Sequence, residues 1–192
     1  MTAEKQSILV IMTGGTIDAE PYEATPDRVT PKDKSQIPAL VDELGLAESC
    51  DFFQWKMKDS QDFSEDEIQQ LADIIRADER RYFIITHGTD AMVKNAQLLN
   101  EALKGSGKTA LFVGAMQPLA HGAASDGPEN MQLALNVLMT DTPSAEGGVF
   151  IVGRGDLGQG RLGPRIFRPD ETKKDRVRKI FVETEPHKGM VL

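Results

Sequence analysis

Residues 8–20 read ILVIMTGGTIDAE. The opening run is apolar without a break, the pattern of a strand buried on both faces. Such strands belong to parallel sheets covered by helices. The run then stops at Thr13, Gly14, Gly15 and Thr16. Glycines let a backbone bend sharply and turn its N–H groups toward a ligand.

Working outward, the same alternation recurs along the chain. Strands are predicted at SILVIM (7–12), CDFFQW (50–55), RYFIIT (81–86), TALFVGA (109–115) and GVFIV (148–152). Between them lie helical patterns at 35–44, 64–79, 90–105 and 128–139. The second is the clearest. Ser64 and Glu67 form a capping-box pattern, and Ile68, Leu71, Ala72 and Ile75 share one helical face. The fold class expected is α/β: a three-layer, Rossmann-like, doubly wound parallel sheet with helices on both faces. It is expected as a single domain over residues 1–192, with a core at about 5–165 and a charged tail at 170–192. RKIFVET (178–184) in that tail reads as a last strand.

Right-handed crossovers place every strand C-terminus on one edge, where ligands of such sheets bind. The loops on that edge are TGGTID (13–18), KMKDSQD (56–62), THGTD (86–90), GAMQP (114–118) and GRGDLGQGRLGPR (153–165). They are rich in glycine, hydroxyls and carboxylates. The opposite-edge loops, ADERR and KGSGK, are ordinary charged turns. This asymmetry points to a site on the first edge.

Composition narrows the function classes. The chain has 192 residues, 40% of them hydrophobic, and a net charge of −8. That is enough apolar content for a core, and the acidic balance argues against nucleic acid and anionic membranes as partners. The one cysteine, Cys50, allows no intrachain disulfide and reads as a strand-edge residue. No apolar run approaches the roughly 18 residues of a spanning helix. The expectation is a soluble, cytoplasmic protein.

Three motifs look functional and fail on context. GSGKT (105–109) lacks the leading glycine of a P-loop and runs helix–loop–strand, so no helix start faces a phosphate. GRGDLG (153–158) and GQGRLG (158–163) match G-x-G-x-x-G, but Gly160, Gly163 and Pro164 make a following helix poor. A flexible loop over the site edge is expected there. His87, His121 and His187 have no paired spacing, so no metal site is expected, and His87 reads as a turn residue.

Thr16 and Thr89 hold equivalent places, each after a glycine that follows a strand. A hydroxyl beside exposed amides suits a nucleophile beside an oxyanion hole. Taken singly, the plainer reading of Thr16 is a turn cap, and of Asp90 a cap for a helix starting at Ala91. Their joint placement with Ser60, Gln61 and Asp62 on one edge favours a site.

TGGTI (13–17), SQD (60–62), ITHGTDAM (85–92), GAMQP (114–118) and SDGPEN (125–130) together resemble the bacterial-type L-asparaginases and glutaminases, in order and in spacing. The likeness runs to about Arg165 and covers the N-terminal domain of that family; the chain looks like a short, single-domain member. The resemblance implies hydrolysis of the side-chain amide of asparagine, with glutamine as a further substrate, through an acyl-enzyme on Thr16. It implies catalytic roles for Thr16, Tyr22, Thr89 and Asp90. It implies substrate contacts from Gly15, Ser60, Gln61, Gly88, Thr89 and Asp90. No metal or organic cofactor is implied, and the assembly implied is a homodimer or higher homo-oligomer.

Two departures from the family pattern stand out. The family's second catalytic group includes a lysine beyond the fifth strand, and counting from GVFIV puts Arg165 at that place. Arginine stays protonated and cannot act as a base. Lys173 and Lys174 are the available substitutes, though spacing does not favour them. The chain also stops about where the family's smaller second domain would begin, so a different closure of the site or looser substrate binding is expected. These departures motivate an alternative: a catalytically weakened amino-acid sensor on the same fold.

Overall fold

A computed structural model describes residues 7–24, 26–140 and 147–184. Strand β1 (Ile8–Gly14) is buried along its whole length. It pairs in parallel with β2 (Cys50–Lys58) on one side and β3 (Tyr82–Thr86) on the other. Strand β4 (Thr109–Val113) extends the sheet in parallel beyond β3, and β5 (Gly148–Asp156) beyond β4. Among the described residues the sheet has six strands in the order β2-β1-β3-β4-β5-β6, where β6 is Leu162–Phe167.

The two-residue alternation of β1 sorts its side chains onto two faces. Leu9 and Ile11 pack with Leu71 and Ile75 of α2 (Glu65–Ala77) and with Ala96 and Leu99 of α3 (Met92–Leu103). Ile8 and Val10 pack on the other face with Ile37 and Val41 of α1 (Ile37–Glu43) and with Met131 and Leu135 of α4 (Gly127–Met139). Each of these larger side chains, Ala96 aside, contributes about 1.5–3 kcal/mol when taken from water. The expected α/β class, with helices on both faces of a mostly parallel sheet, is the observed one. The capping box of α2 forms: Ser64 Oγ accepts the Glu67 N–H at 3.2 Å, and Glu67 accepts the Ser64 N–H at 2.9 Å. Among the described residues, no helix is long and apolar enough to cross a membrane.

The chain leaves β1 toward β2, then returns past β1 to β3. The strand order therefore reverses between β1 and β3, and the crevice at that reversal is where ligands of open α/β sheets bind.

Four local expectations change. The segment 153–165 is no flexible loop: β5 runs on to Asp156 and folds back as β6, antiparallel, with Gly153 facing Arg165. Two of its glycines pack under aromatic rings: a Cβ on Gly153 would lie 2.7 Å from the Phe181 ring, and one on Gly155 2.6 Å from the Phe167 ring. The tail does not stand apart from the core either. It forms an antiparallel hairpin, β7 (Thr172–Asp175) with β8 (Ile180–Glu183), and Phe181 is fully buried among residues of β3, β4 and β5. Thr16 caps nothing with its side chain, since the 3-10 turn Thr16–Asp18 starts from Gly15. Asp90 caps nothing either: α3 starts at Met92 with Ala91 before it, and no side-chain cap bond forms. His187 and residues 185–192 of the tail lie outside the described residues.

Candidate active site

Two glycine loops meet at the β1/β3 reversal. Gly14 and Gly15 both take positive φ, 83° and 79°, which L side chains rarely adopt. A Cβ on Gly15 would fall 2.1 Å from the Gly88 backbone N, so the loops touch main chain to main chain. A Cβ on Gly88 would in turn meet Ser60 Oγ at 2.7 Å. The exits of β1, β2 and β3 are thus packed together through residues with little or no side chain. Thr16 follows Gly15 and is buried; Thr89 follows Gly88 and is buried.

The exit of β2 is fixed by Asp59, whose carboxylate accepts the Gln61 N–H at 2.9 Å and the Val29 N–H at 2.8 Å. Ser60 Oγ accepts the Ala91 N–H at 3.2 Å. Gln61 Nε2 donates to Asp27 O at 3.2 Å, so this side chain is tied to the loop that follows the first turn.

Beneath the loops lies a closed polar cluster. Asn95 Nδ2 is 2.9 Å from His87 Nε2, and Thr13 Oγ1 is 2.8 Å from His87 Nδ1. Thr13 Oγ1 donates to Thr86 O at 2.5 Å, which commits its proton. One arrangement satisfies every group: Asn95 donates to Nε2, and His87 Nδ1–H donates to Thr13. Burial, helped by the Lys58 charge, pushes the imidazole down to about 3, so it is neutral and braces the site. His87 is therefore more than the turn residue expected of it.

The second cluster is charged and partly open. Lys174 Nζ donates to Thr89 Oγ1 at 2.6 Å and pairs with Asp90 Oδ1 at 3.1 Å. Arg176 pairs with the same Asp90 oxygen at 3.3 Å. Burial holds the Lys174 ammonium below its ordinary range, and Asp90 opposes that shift. This lysine arrives from β7, where Thr172 is buried, Lys173 exposed and Lys174 half-buried. The alternation of a strand aims Lys174 inward with Thr172; counting from the fifth strand missed it because the chain first folds back through β6.

Arg165 is not at the lysine's place. Its guanidinium donates to Asp156 O at 3.1 Å and pairs with Glu183 at 3.1 Å, over the Phe167 ring. Arg165 does not mark a missing base, as the count along the sequence suggests: Lys174 is present beside Thr89 and Asp90.

Tyr22 lies on the loop after the first turn. Its hydroxyl is buried and, among the described residues, has no partner. Burial, then the Asp126 and Asp90 charges, raise the phenol above its ordinary value, which keeps its proton on. Asp126 itself is held by the Met116 and Gln117 N–H groups at 2.8 and 3.1 Å. Among the described residues no group of three or more histidine, cysteine or acidic side chains is arranged to hold a metal.

The arrangement therefore offers a buried hydroxyl after a glycine pair, a second hydroxyl with an amine on it, and a protonated phenol. The family model Asparaginase, N-terminal, matches residues 7–175. The chain belongs to the asparaginase family. Over 139 residues it is 35% identical to L-asparaginase 1 of Escherichia coli (strain K12), covering 70% of this chain and 40% of that protein. Over 94 residues it is 37% identical to a probable periplasmic L-asparaginase of Haemophilus influenzae, covering 48% of this chain and 26% of the relative. The crystal structure of a probable cytoplasmic L-asparaginase from Campylobacter jejuni matches with a TM-score of 0.72 at 23% identity, over 94% of this chain and 54% of that one, a likeness of fold. The chain spans less than half the length of these curated asparaginases, 40% and 26%.

Proposed function

We propose that this asparaginase-family chain is an amidohydrolase that converts L-asparagine to L-aspartate and ammonia through an acyl-enzyme on Thr16. The observation that carries the reading is the Lys174–Thr89 hydrogen bond of 2.6 Å, on the loop that touches the Thr16 loop.

In this reading the Thr16 hydroxyl attacks the side-chain amide carbon. A threonine hydroxyl needs a partner to take its proton. Lys174, with its ammonium disfavoured by burial, takes that proton by way of Thr89 Oγ1. Backbone N–H groups near Gly15 and Thr89 face the developing oxyanion, a contribution typically worth about 10²–10³ in rate. The C–N bond breaks, the nitrogen collects the proton and leaves as ammonia, and an ester to Thr16 remains. Water adds to that ester, and the C–O bond to Thr16 breaks to give aspartate. Tyr22, kept protonated by burial and two carboxylates, serves as a hydrogen-bond donor over the site and not as the base. Asp90 takes the substrate's α-ammonium; Ser60 and Gln61, with the Gly15, Gly88 and Thr89 backbone, line the site for its α-carboxylate and carbonyl.

The sensor alternative rested on Arg165 standing where a lysine belongs and on the family's second domain; Lys174 removes the first ground. A homodimer or higher homo-oligomer is part of the proposal, and light scattering measures it. The half-buried free Cys50 suits a reducing cytoplasm. The test of the function is ammonia release from L-asparagine. The wild-type chain turns over and Thr16→Ala does not; full turnover by Thr16→Ala would remove the nucleophile from the scheme.

A further inference from the structure

Tyr22 is carried by a loop with two separate anchorages. The base and far limb are held by Glu20 N–H to Thr30 O at 3.0 Å, by Val29 N–H to Asp59 at 2.8 Å, and by Gln61 to Asp27 O at 3.2 Å. The tip is held from elsewhere. The Tyr22 N–H donates to His121 Nε2 at 3.1 Å, and the two rings meet edge to face with centroids 5.0 Å apart and planes at 72°. His121 belongs to the 3-10 segment Leu119–Ala124, just before Gly122 turns the chain at φ 56°.

The hydrogen-bond chemistry fixes the histidine's form. A backbone N–H can only donate, so Nε2 is the bare nitrogen. The ring proton is then on Nδ1, which lies 3.1 Å from Gln117 Oε1. One neutral tautomer satisfies Tyr22, His121 and Gln117 together. The Tyr22 hydroxyl, one end of the same residue, is buried and, among the described residues, has no partner. Fixing the Tyr22 backbone therefore fixes where that hydroxyl is aimed.

We propose that His121 is a positioning residue that latches the Tyr22 loop over the site, acting through the Tyr22 N–H and not on substrate. This rests on the amidohydrolase reading. The test compares His121→Phe, which keeps a ring without an acceptor, with His121→Gln, whose amide oxygen reaches the place of Nε2. His121→Phe lowers kcat for L-asparagine about tenfold, as loss of one productive hydrogen bond does, with KM changed less than about twofold. His121→Gln restores most of it. In a Tyr22→Phe background, His121→Phe lowers kcat by less than about twofold more, because the two act as one unit. A readout independent of activity is hydrogen exchange of the Tyr22 amide, which speeds up in His121→Phe and not in His121→Gln. Wild-type kcat in His121→Phe, or full additivity with Tyr22→Phe, overturns the latch. If the wild-type chain releases no ammonia, the amidohydrolase reading falls by itself. The latch is then decided by exchange alone: a faster Tyr22 amide in His121→Phe upholds it, and an unchanged one overturns it.

Discussion

Thr13 and Thr89 lie at the ends of adjacent strands, and each has a basic nitrogen against its hydroxyl. His87 Nδ1 is 2.8 Å from Thr13, and Lys174 Nζ is 2.6 Å from Thr89. The distances are alike and the chemistry is opposite. Thr13 has already given its proton to the Thr86 carbonyl, and His87 is fully buried, neutral and bonded at both nitrogens. Lys174 keeps part of its side chain open, with Asp90 and Arg176 beside it. A base beside a hydroxyl is thus insufficient for catalysis. The proton must be uncommitted, and the base must be able to change its charge. One threonine braces the edge, and the other relays a proton in the proposed mechanism.

The sharpest way to break this contrast is to remove each base in turn. Lys174→Met lowers kcat for L-asparagine by about 10²–10³, as loss of a positioned acid–base group does. Lys174→Arg does not rescue it, because a guanidinium stays protonated. The wild-type rate rises with pH as the Lys174 ammonium gives up its proton, and that rise is absent in Lys174→Met. Rate measurements across pH check all three outcomes. Equal rates for wild type and Lys174→Met would erase the distinction between the clusters.

His87→Leu acts on stability instead. It takes the ring away from Thr13, which keeps Thr86 O, and from Asn95, which keeps Ser60 O at 3.3 Å, and it costs about 1–3 kcal/mol in denaturant unfolding. Its acid dependence has a definite sign. The folded value of His87 is about 3, against 6.5 for the free side chain. Between those values the unfolded chain holds a proton that the folded chain refuses, so stability falls as pH drops through this window. His87→Leu removes that contribution. A variant as stable as wild type, with an unchanged acid slope, would show that the cluster braces nothing.

The smallest effect lies at the start of α2. Glu67 closes the α2 capping box and pairs with Lys56 and Lys58 at 2.8 and 2.6 Å. The two lysines beside it draw its carboxyl down to about 2. A lowered carboxylate stabilises the fold above its ordinary value of 4.5 and loses that contribution as pH falls toward 2. Glu67→Gln costs about 1 kcal/mol at neutral pH, read by thermal unfolding, and leaves turnover unchanged.

These clusters also show where the sequence is readable. The uninterrupted apolar runs of β1, β3 and β4 locate the sheet, because strands buried on both faces carry no alternation to misread. The paired glycine–threonine exits locate the site edge, because Gly15 and Gly88 must touch. What was not readable depends on chain reversal. Lys174 stands beside Thr89 only because β6 turns the chain back and β7 turns it again, and no count along the sequence records those turns. His121 meets Tyr22 across 99 positions through a main-chain N–H, which leaves no pattern in residue types. The family resemblance suggests the roles proposed for Thr16 and Thr89; the geometry brings Lys174 to Thr89.

In the proposed mechanism Thr16, and not Thr89, forms the covalent bond. Acid quenching of the wild-type chain during turnover of L-asparagine, followed by digestion and mass measurement, tests it directly. An aspartyl ester is expected on the peptide that carries Thr16, and none in Thr16→Ala. An ester on the Thr89 peptide, or steady turnover with Thr16→Ala, would contradict it.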